Sequence, residues 1–504
     1  MSNLFESFRF AERAERTVID SYRDGQCVAS YTYGKLRDMA ADYAAELDRA
    51  GVKPGDRIVV RVEKSVEALA VYLASLQRGA VFVPLNTAYR PQEVEYFLRD
   101  SGARLVVCDP SDVEAVASVA AEIGAEVRTL DSSGQGSITN VTGDRNYDIV
   151  PREDKDLAAI LYTSGTTGKP KGAMLSHANL RSNAEALKEL WRMGEDDVLL
   201  HALPIYHVHG LFVGCNQMMM VGARMLFLPK FELDSMIALL PSATVLMGIP
   251  TFYTRLLGDP RLDRDLVANI RLFISGSAPL LAETHVEWQE RTGHAILERY
   301  GMTETGMNTS NPYDGERRAG TVGFPLPGVE LRVTHPETGE ELPQGEIGMI
   351  EVRGPNVFSG YWQMPEKTAA ELRENGFFIT GDLGKIDERG YVHIVGRGKD
   401  LVITGGLNVY PKEVEIEIDA IPQVQESAVI GLPHADFGEA VTAVIVLRKG
   451  ETLEEADVIA ALKPRLASFK LPKRVIFLPE LPRNTMGKVQ KAELRNIYAG
   501  LYKA

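Results

Sequence analysis

Three cysteines in 504 residues, Cys27, Cys108 and Cys215, leave little material for a disulfide framework, and no two form a C-x-x-C pair. That excludes a disulfide-stapled scaffold or a zinc ribbon and makes a reducing cytoplasm the expected compartment. Positive charge is also short: 55 Lys and Arg against 69 Asp and Glu give a net charge of −14. No strongly basic segment offsets the surplus, so nucleic acid is not an expected partner, and any anionic substrate must be met by local cations. Long apolar runs are missing as well. The longest uncharged stretch, Val198 to Ala223, contains His201, Pro204, His207, His209, Gly210, Asn216 and Gln217, which are costly in lipid. It reads as protein interior beside a pocket, and no membrane association is expected. The opening segment, MSNLFESFRFAERAERT, lacks the continuous apolar core of a signal peptide. Repeats and low-complexity tracts are absent.

What is present is an ordinary globular composition, 45% hydrophobic and 25% charged, in a chain long enough for two or more domains. Helical and strand patterns alternate through the first part. YTYGKLRDMAADYAAELDRAG has helical spacing and leads through a turn into RIVVRV; SVEALAVYLASLQRG leads into AVFVPL; PQEVEYFLRDSG leads into ARLVVCD. Such alternation predicts a largely parallel sheet covered on both faces. From about Thr321 the pattern turns to short strands rich in turns, predicting a small antiparallel sheet attached to that body. Beyond GRGKD at 396–400, helices around 411–421 and 453–467 mix with strands at 424–431, 440–448 and 473–478. The expected fold class is therefore α/β. A large domain at 1–397 of α/β layers carries a small antiparallel β subdomain, and a small mobile α+β domain follows at 398–504.

The segment LYTSGTTGKPKGAMLSH, residues 161–177, sits between two apolar strands and is crowded with hydroxyls, glycines and two lysines. Glycines let backbone N–H groups approach an anion, hydroxyls donate to it, and lysine adds charge. A Walker-type phosphate loop needs Ser or Thr directly after the lysine, for magnesium. Here Pro170 follows Lys169, so this is a phosphate loop of another kind or a plain solvated loop. Four further segments carry chemistry-bearing residues: ERYGMTET at 298–305, TGDLG at 380–384, GRGKDLVITGGLNVYPKEVE at 396–415 and PRNTMGKVQK at 482–491.

In this order, from YTYGKL to Lys488, the motifs resemble those of the adenylate-forming superfamily of acyl-CoA synthetases, luciferases and peptide-synthetase adenylation domains. The resemblance implies that the first loop holds the β- and γ-phosphates of ATP through Thr163, Ser164, Gly165, Thr166, Thr167, Gly168 and Lys171 while a carboxylate attacks the α-phosphorus. It implies that Tyr300 stacks on adenine, with Gly276, Ser277 and Ala278 along the base and Glu298, Arg299 and Gly301 as nucleotide neighbours. Thr303 would meet the α-phosphate, Glu304 would hold Mg²⁺, and Asp382 with Arg397 would bind the ribose hydroxyls. Lys488 would meet the charge developing in the transition state, where a fixed cation is worth several kcal/mol. Lys399 would be the hinge, bringing Gly405 and Gly406 to a thioester step with coenzyme A. An acetyltransferase acting on Lys488 is a further expected partner, since acetylation removes the charge.

PIYHVHGL (204–211) and GIPTFYTRLL (248–257) fall where that superfamily builds its acyl pocket, and they bring His207, His209 and Arg255. If Pro250 opens a helix, Thr251, Phe252 and Arg255 share one face, and Arg255 could pair with a second carboxylate on the substrate. Together with ERYGMTETGMNTS these segments resemble the malonate-activating branch. The expected acid is malonate, with methylmalonate as a possible second substrate, His207 as an orienting donor, and Met302 and Met307 limiting the pocket. An acetate, short-chain or aryl monocarboxylate ligase is the alternative within the superfamily. A non-catalytic nucleotide-binding protein is disfavoured by intact Thr303, Glu304 and Lys488, and a P-loop hydrolase by the failed Walker spacing.

Overall fold

The structure, a computed structural model, describes residues 3–502 apart from 142, 164–169, 406 and 435. Packing divides the chain into two compact units, Met1–Glu330 with Val352–Phe378 and Leu331–Glu351 with Ile379–Ala504. The boundary drawn from the sequence at 397/398 lies inside the second unit.

The first unit is built on two sheets. Among the described residues the larger has nine strands, in the order Phe324–Pro325, Gly306–Ser310, Leu297–Met302, Leu272–Ser275, Val245–Gly248, Val198–His201, Arg224–Phe227, Thr17–Arg23 and Gln26–Thr32. The run from Leu297–Met302 to Thr17–Arg23 is parallel, and antiparallel strands close both edges. The six-stranded sheet has the order Glu126–Thr129, Leu105–Cys108, Arg57–Arg61, Val81–Pro84, Leu157–Thr163 and Lys171–Ser176, parallel except for its last pair. The strands LVVC, VFVP, VLMG and LFIS are buried along their whole length, as expected of parallel strands covered on both faces. The helix Val66–Gln77 is buried almost all round, which explains why its sequence shows so little of a polar stripe. Ser65 caps it, its hydroxyl accepting from the Ala68 N–H at 3.0 Å.

The second unit takes in most of a sheet of order Glu330–Thr334, Gly348–Arg353, Phe378–Ile386, Val392–Arg397. It also holds a second sheet in which Val424–His434 and Gly438–Leu447 pair antiparallel and Arg474–Phe477 joins in parallel. Its core joins Val402, Val414, Ile418, Val441, Ile445 and Val458, beneath the helices Pro411–Asp419 and Glu455–Leu462. The strands and helices expected beyond residue 400 lie within a few residues of these positions.

Among the described residues no helix is long and apolar enough to cross a membrane. The uncharged run from Val198 is indeed interior, but it folds in a way its sequence does not announce. His209–Asn216 forms a π-helix, continued by the α-helix Gln217–Val221, and every residue of both is buried. Two glycines permit its close seating. A Cβ on Gly210 would lie 2.0 Å from the Pro204 carbonyl oxygen, and one on Gly214 would lie 2.9 Å from the His201 Nε2. Because the obstruction at 210 is backbone, Gly210→Ala is expected to cost about 1–3 kcal/mol. Gly194→Ala, with nothing within 4 Å of the new methyl, is the control. Calorimetric melting of both variants checks this, and equal melting temperatures would mean that the π-helix is not tightly seated.

Candidate active site

In a sheet with parallel strands, loops leaving the carboxyl ends converge on one edge, and ligand sites form there. Val198–His201 leads to His207 and His209, Leu272–Ser275 to Gly276–Ala278, and Leu297–Met302 to Thr303 and Glu304.

Thr163 and Lys171 are cross-strand partners in the antiparallel pair Leu157–Thr163 and Lys171–Ser176, so both roots of the expected phosphate loop are fixed. Ser164, Gly165, Thr166, Thr167 and Gly168 lie outside the described residues. Lys171 is buried, and its Nζ donates to the Tyr361 hydroxyl at 3.0 Å and to Glu371 Oε2 at 3.2 Å. The Tyr361 hydroxyl lies 2.7 Å from Glu371 Oε2 and 3.1 Å from Glu304 Oε1, and Lys367 pairs with Glu371 at 2.8 Å. The Thr163 hydroxyl also points at Glu304 Oε1, at 3.5 Å. Burial, followed by the two neighbouring carboxylates, pushes the Tyr361 phenol up, so it stays protonated. Burial alone would raise Glu371, but hydrogen bonds from Lys367 and Tyr361 and the charges of Lys171 and Lys367 bring it below its ordinary value. Neither Tyr361 nor Glu371 was foreseen. They belong to the segment SGYWQMPEKTAAE, where only an aromatic pair in a polar stretch stands out.

The residues expected on the acyl side gather around the π-helix. His209 is buried, and its Nδ1 lies 3.2 Å from the Ser277 hydroxyl. Burial, then the charge of Arg299, holds the imidazole well below its ordinary pKa, so it is neutral at physiological pH. Ser277 has φ = 70°, the left-handed region a non-glycine residue adopts at a cost of about 1–2 kcal/mol. His207 is half-buried, and its Nδ1 accepts from the His209 N–H at 3.2 Å. Behind them, the buried Lys64 Nζ reaches His201 Nδ1 at 2.8 Å, and His201 Nε2 reaches the Gly210 carbonyl at 2.8 Å. With Lys64 as donor, His201 carries its proton on Nε2 and fastens the start of the π-helix. Thr303 shares a cavity with Val208, Phe212, Leu175 and Asn183. Met307 is buried with its N–H and carbonyl both bonded to the Asn183 amide, while Met302 is half-buried.

Three of the expected site residues stand in surroundings that their sequence does not display. Arg255 does sit on a helix opened by proline, Pro250–Leu257, but it is exposed. Its guanidinium stands 5.6 Å from the centre of the Phe231 ring, with no carboxylate or histidine partner among the described residues. Arg299 and Tyr300 are neighbours on one strand, so their side chains leave on opposite faces. The guanidinium packs against Gly276 and does not join the Tyr300 ring. Glu298, on the Tyr300 face, is committed to His285 Nδ1 and the Gly320 N–H, both at 3.2 Å.

In the second unit, Asp382 and Arg397 are cross-strand partners joined by a 2.8 Å ion pair. Lys399 is exposed on a 3₁₀ turn whose Asp400 pairs with Arg495 at 2.8 Å. Gly405 has φ = 57°, and Gly406 lies outside the described residues. Lys488 is half-buried in a loop closed on Asn484, whose Oδ1 accepts from the Lys488 N–H at 2.9 Å.

An antiparallel strand pair whose ends stand against a buried carboxylate, beside parallel strands whose carboxyl ends converge, is the setting of a ligand-binding enzyme. The chain belongs to the AMP-binding enzyme family: that family matches residues 9–362, and its C-terminal domain matches residues 413–488. The chain is 35% identical to the malonate–CoA ligase of Arabidopsis thaliana, over 92% of this chain and 84% of that protein. It is 36% identical to a feruloyl-CoA synthase of an Amycolatopsis species, over 92% and 93%. The ATP-bound structure of MatB from Rhodopseudomonas palustris matches with a TM-score of 0.96 and 58% identity over the whole of both chains.

The Tyr361 network yields a prediction. Tyr361→Phe leaves Lys171 and Glu304 short of a buried partner, at a cost of about 1–3 kcal/mol in stability. It should also lower nucleotide-dependent turnover by about tenfold. Melting and steady-state assays check both; wild-type turnover in the variant would show that the phenol does not organise the loop.

Proposed function

We propose that the protein is an ATP-dependent ligase that joins malonate to coenzyme A through malonyl-AMP, releasing AMP and pyrophosphate. What supports this choice of acid is a polar cluster, His207, His209 and Ser277, hydrogen-bonded at the start of the π-helix in place of the apolar lining that a fatty-acid tunnel needs. Relatives of nearly equal identity are named for malonate and for ferulate, so identity alone does not choose between them. Thr163, Lys171 and the loop between them bind the β- and γ-phosphates, Tyr300 and Gly276–Ala278 the adenine, Thr303 the α-phosphate, and Asp382 with Arg397 the ribose. The Glu304 carboxylate, with the Thr163 hydroxyl 3.5 Å from its Oε1, offers oxygen ligands of the kind Mg²⁺ takes, and the metal when bound would neutralise charge on the leaving pyrophosphate. Lys488 serves adenylation only, and rotation at Lys399 brings Gly405 and Gly406 to the thioester step. Methylmalonate is a second candidate acid. Acetylation of Lys488 would switch adenylation off, and three free cysteines suit a reducing cytoplasm.

A panel of acids assayed for AMP formation with and without coenzyme A tests the function; propionate or an aryl acid outperforming malonate would overturn the dicarboxylate reading. Lys488→Ala should abolish adenylation yet leave thioester formation from supplied malonyl-AMP largely intact, and equal loss of both half-reactions would refute the division. Arg255, being exposed, acts as a screened cation that draws malonate in, so Arg255→Ala should lower malonate kcat/KM by about fivefold at low salt. That deficit should shrink as ionic strength rises. A deficit indifferent to salt would place Arg255 in desolvated contact with the acid.

A further inference from the structure

The loop that carries Lys488 runs from Pro482 to Gln490 and is closed on itself by short bonds. Asn484 Oδ1 accepts from the N–H groups of Met486 and Lys488, at 3.0 and 2.9 Å, and the Asn484 N–H donates to the Lys488 carbonyl at 3.0 Å. Such bonds set the loop's shape but not its aim, which depends on what ties it to the rest of its unit. After the loop, the helix Lys491–Ile497 is held from its first and last turns: Lys491 pairs with buried Glu415 at 2.5 Å, and Arg495 with Asp400 at 2.8 Å. At the start of the loop, Arg483 does the tying. Its Nη2 pairs with Glu426, and its Nη1 donates at 2.5 Å to the carbonyl of Gly487, the residue directly before Lys488. Glu426 stands on the strand Val424–His434, just past a register shift between Val424 and Glu426. Irregularities of that kind re-aim a side chain. The Arg483 and Glu426 side chains are 29% and 19% exposed, so water competes with the pair only in part.

We propose that Glu426 and Arg483 are positioning residues for Lys488: the carboxylate orients the guanidinium, and the guanidinium fixes the peptide from which Lys488 springs. Arginine suits a clamp with two points because its planar fork holds a carboxylate on one nitrogen and a carbonyl on another. Neither residue takes part in the chemistry. Stabilisation of transition-state charge falls steeply when the cation is misplaced by about an ångström, so a slack clamp affects the chemical step and leaves substrate binding alone. The inference rests on the reading of Lys488 as the adenylation lysine and concerns that half-reaction only.

Glu426→Gln and Arg483→Met test this in the full chain, with Lys488→Ala beside them. Each clamp variant should lower kcat for malonate-dependent pyrophosphate release about tenfold, with KM for ATP and malonate within about twofold of wild type. Thioester formation from supplied malonyl-AMP and coenzyme A should stay near wild type. Arg483→Lys keeps a charge facing Glu426 but cannot hold the carbonyl as well, and should recover part of the loss. The double variant should be no worse than Arg483→Met alone, because the two residues act as one unit. Equal loss of both half-reactions, or additive losses in the double variant, would make the pair a fold-supporting contact and overturn the inference. Wild-type adenylation in Arg483→Met would overturn it too. Failure of Lys488→Ala itself to separate the half-reactions is a distinct result, which removes the reading of Lys488 and the inference together.

Discussion

A phenol with one proton stands among two carboxylates and an ammonium group, and the base of the phosphate loop is organised by how that proton is shared. Tyr361 accepts from Lys171 and donates to Glu371 or Glu304, and the 2.7 Å contact to Glu371 is the shorter. Lys171 and Lys367 also lean on Glu371, so its charge is well compensated. Glu304, also buried, receives the longer contacts from Tyr361 and Thr163. Backbone pairing holds the arrangement: Tyr361 bridges to Ala173, and the Phe358 N–H donates to the Glu304 carbonyl at 2.8 Å. Segments far apart in sequence thus meet at one oxygen, and the loop joining Thr163 to Lys171 starts and ends on fixed points.

The region around the π-helix uses the opposite strategy. The π-helix winds five residues per hydrogen bond, so it presents side chains in directions that an α-helix of the same sequence would not. Its start is fastened by His201, which is itself set by Lys64, and close seating requires Gly210 and Gly214. The outcome is a wall whose polar groups are buried and incompletely satisfied. At a structural site that would be a defect; in a pocket it is unfilled binding capacity.

Much of this could be read from the sequence. The parallel strands announce themselves as short apolar runs, because burial on both faces leaves no alternation to disguise them. The loop and the ERYGMTET and TGDLG segments carry their chemistry locally, and the small α+β region showed its elements within a few residues. Contacts between distant segments did not show: Lys171 and Tyr361 are 190 positions apart, and nothing near either betrays the other. The π-helix was hidden because periodicity in a wholly apolar stretch has no polar face to mark it. Helical spacing placed Arg255 correctly on its helix but could not say what covers that face. Strand alternation sends Arg299 and Tyr300 to opposite faces, a separation that adjacent letters of one motif do not display.

These particulars bear on how a protein of net charge −14 can work on a polyanionic nucleotide and a dianionic acid at once. Bulk charge repels both, so attraction must be local and the cations must differ in availability. Lys171 is neutralised by Glu371 and held in a network with Tyr361. Arg397 is likewise held to Asp382. Arg299 is buried with no acidic partner among the described residues. The cations thus differ in how far their charge is already answered: Lys171 and Arg397 each by a carboxylate, Arg299 by none among the described residues.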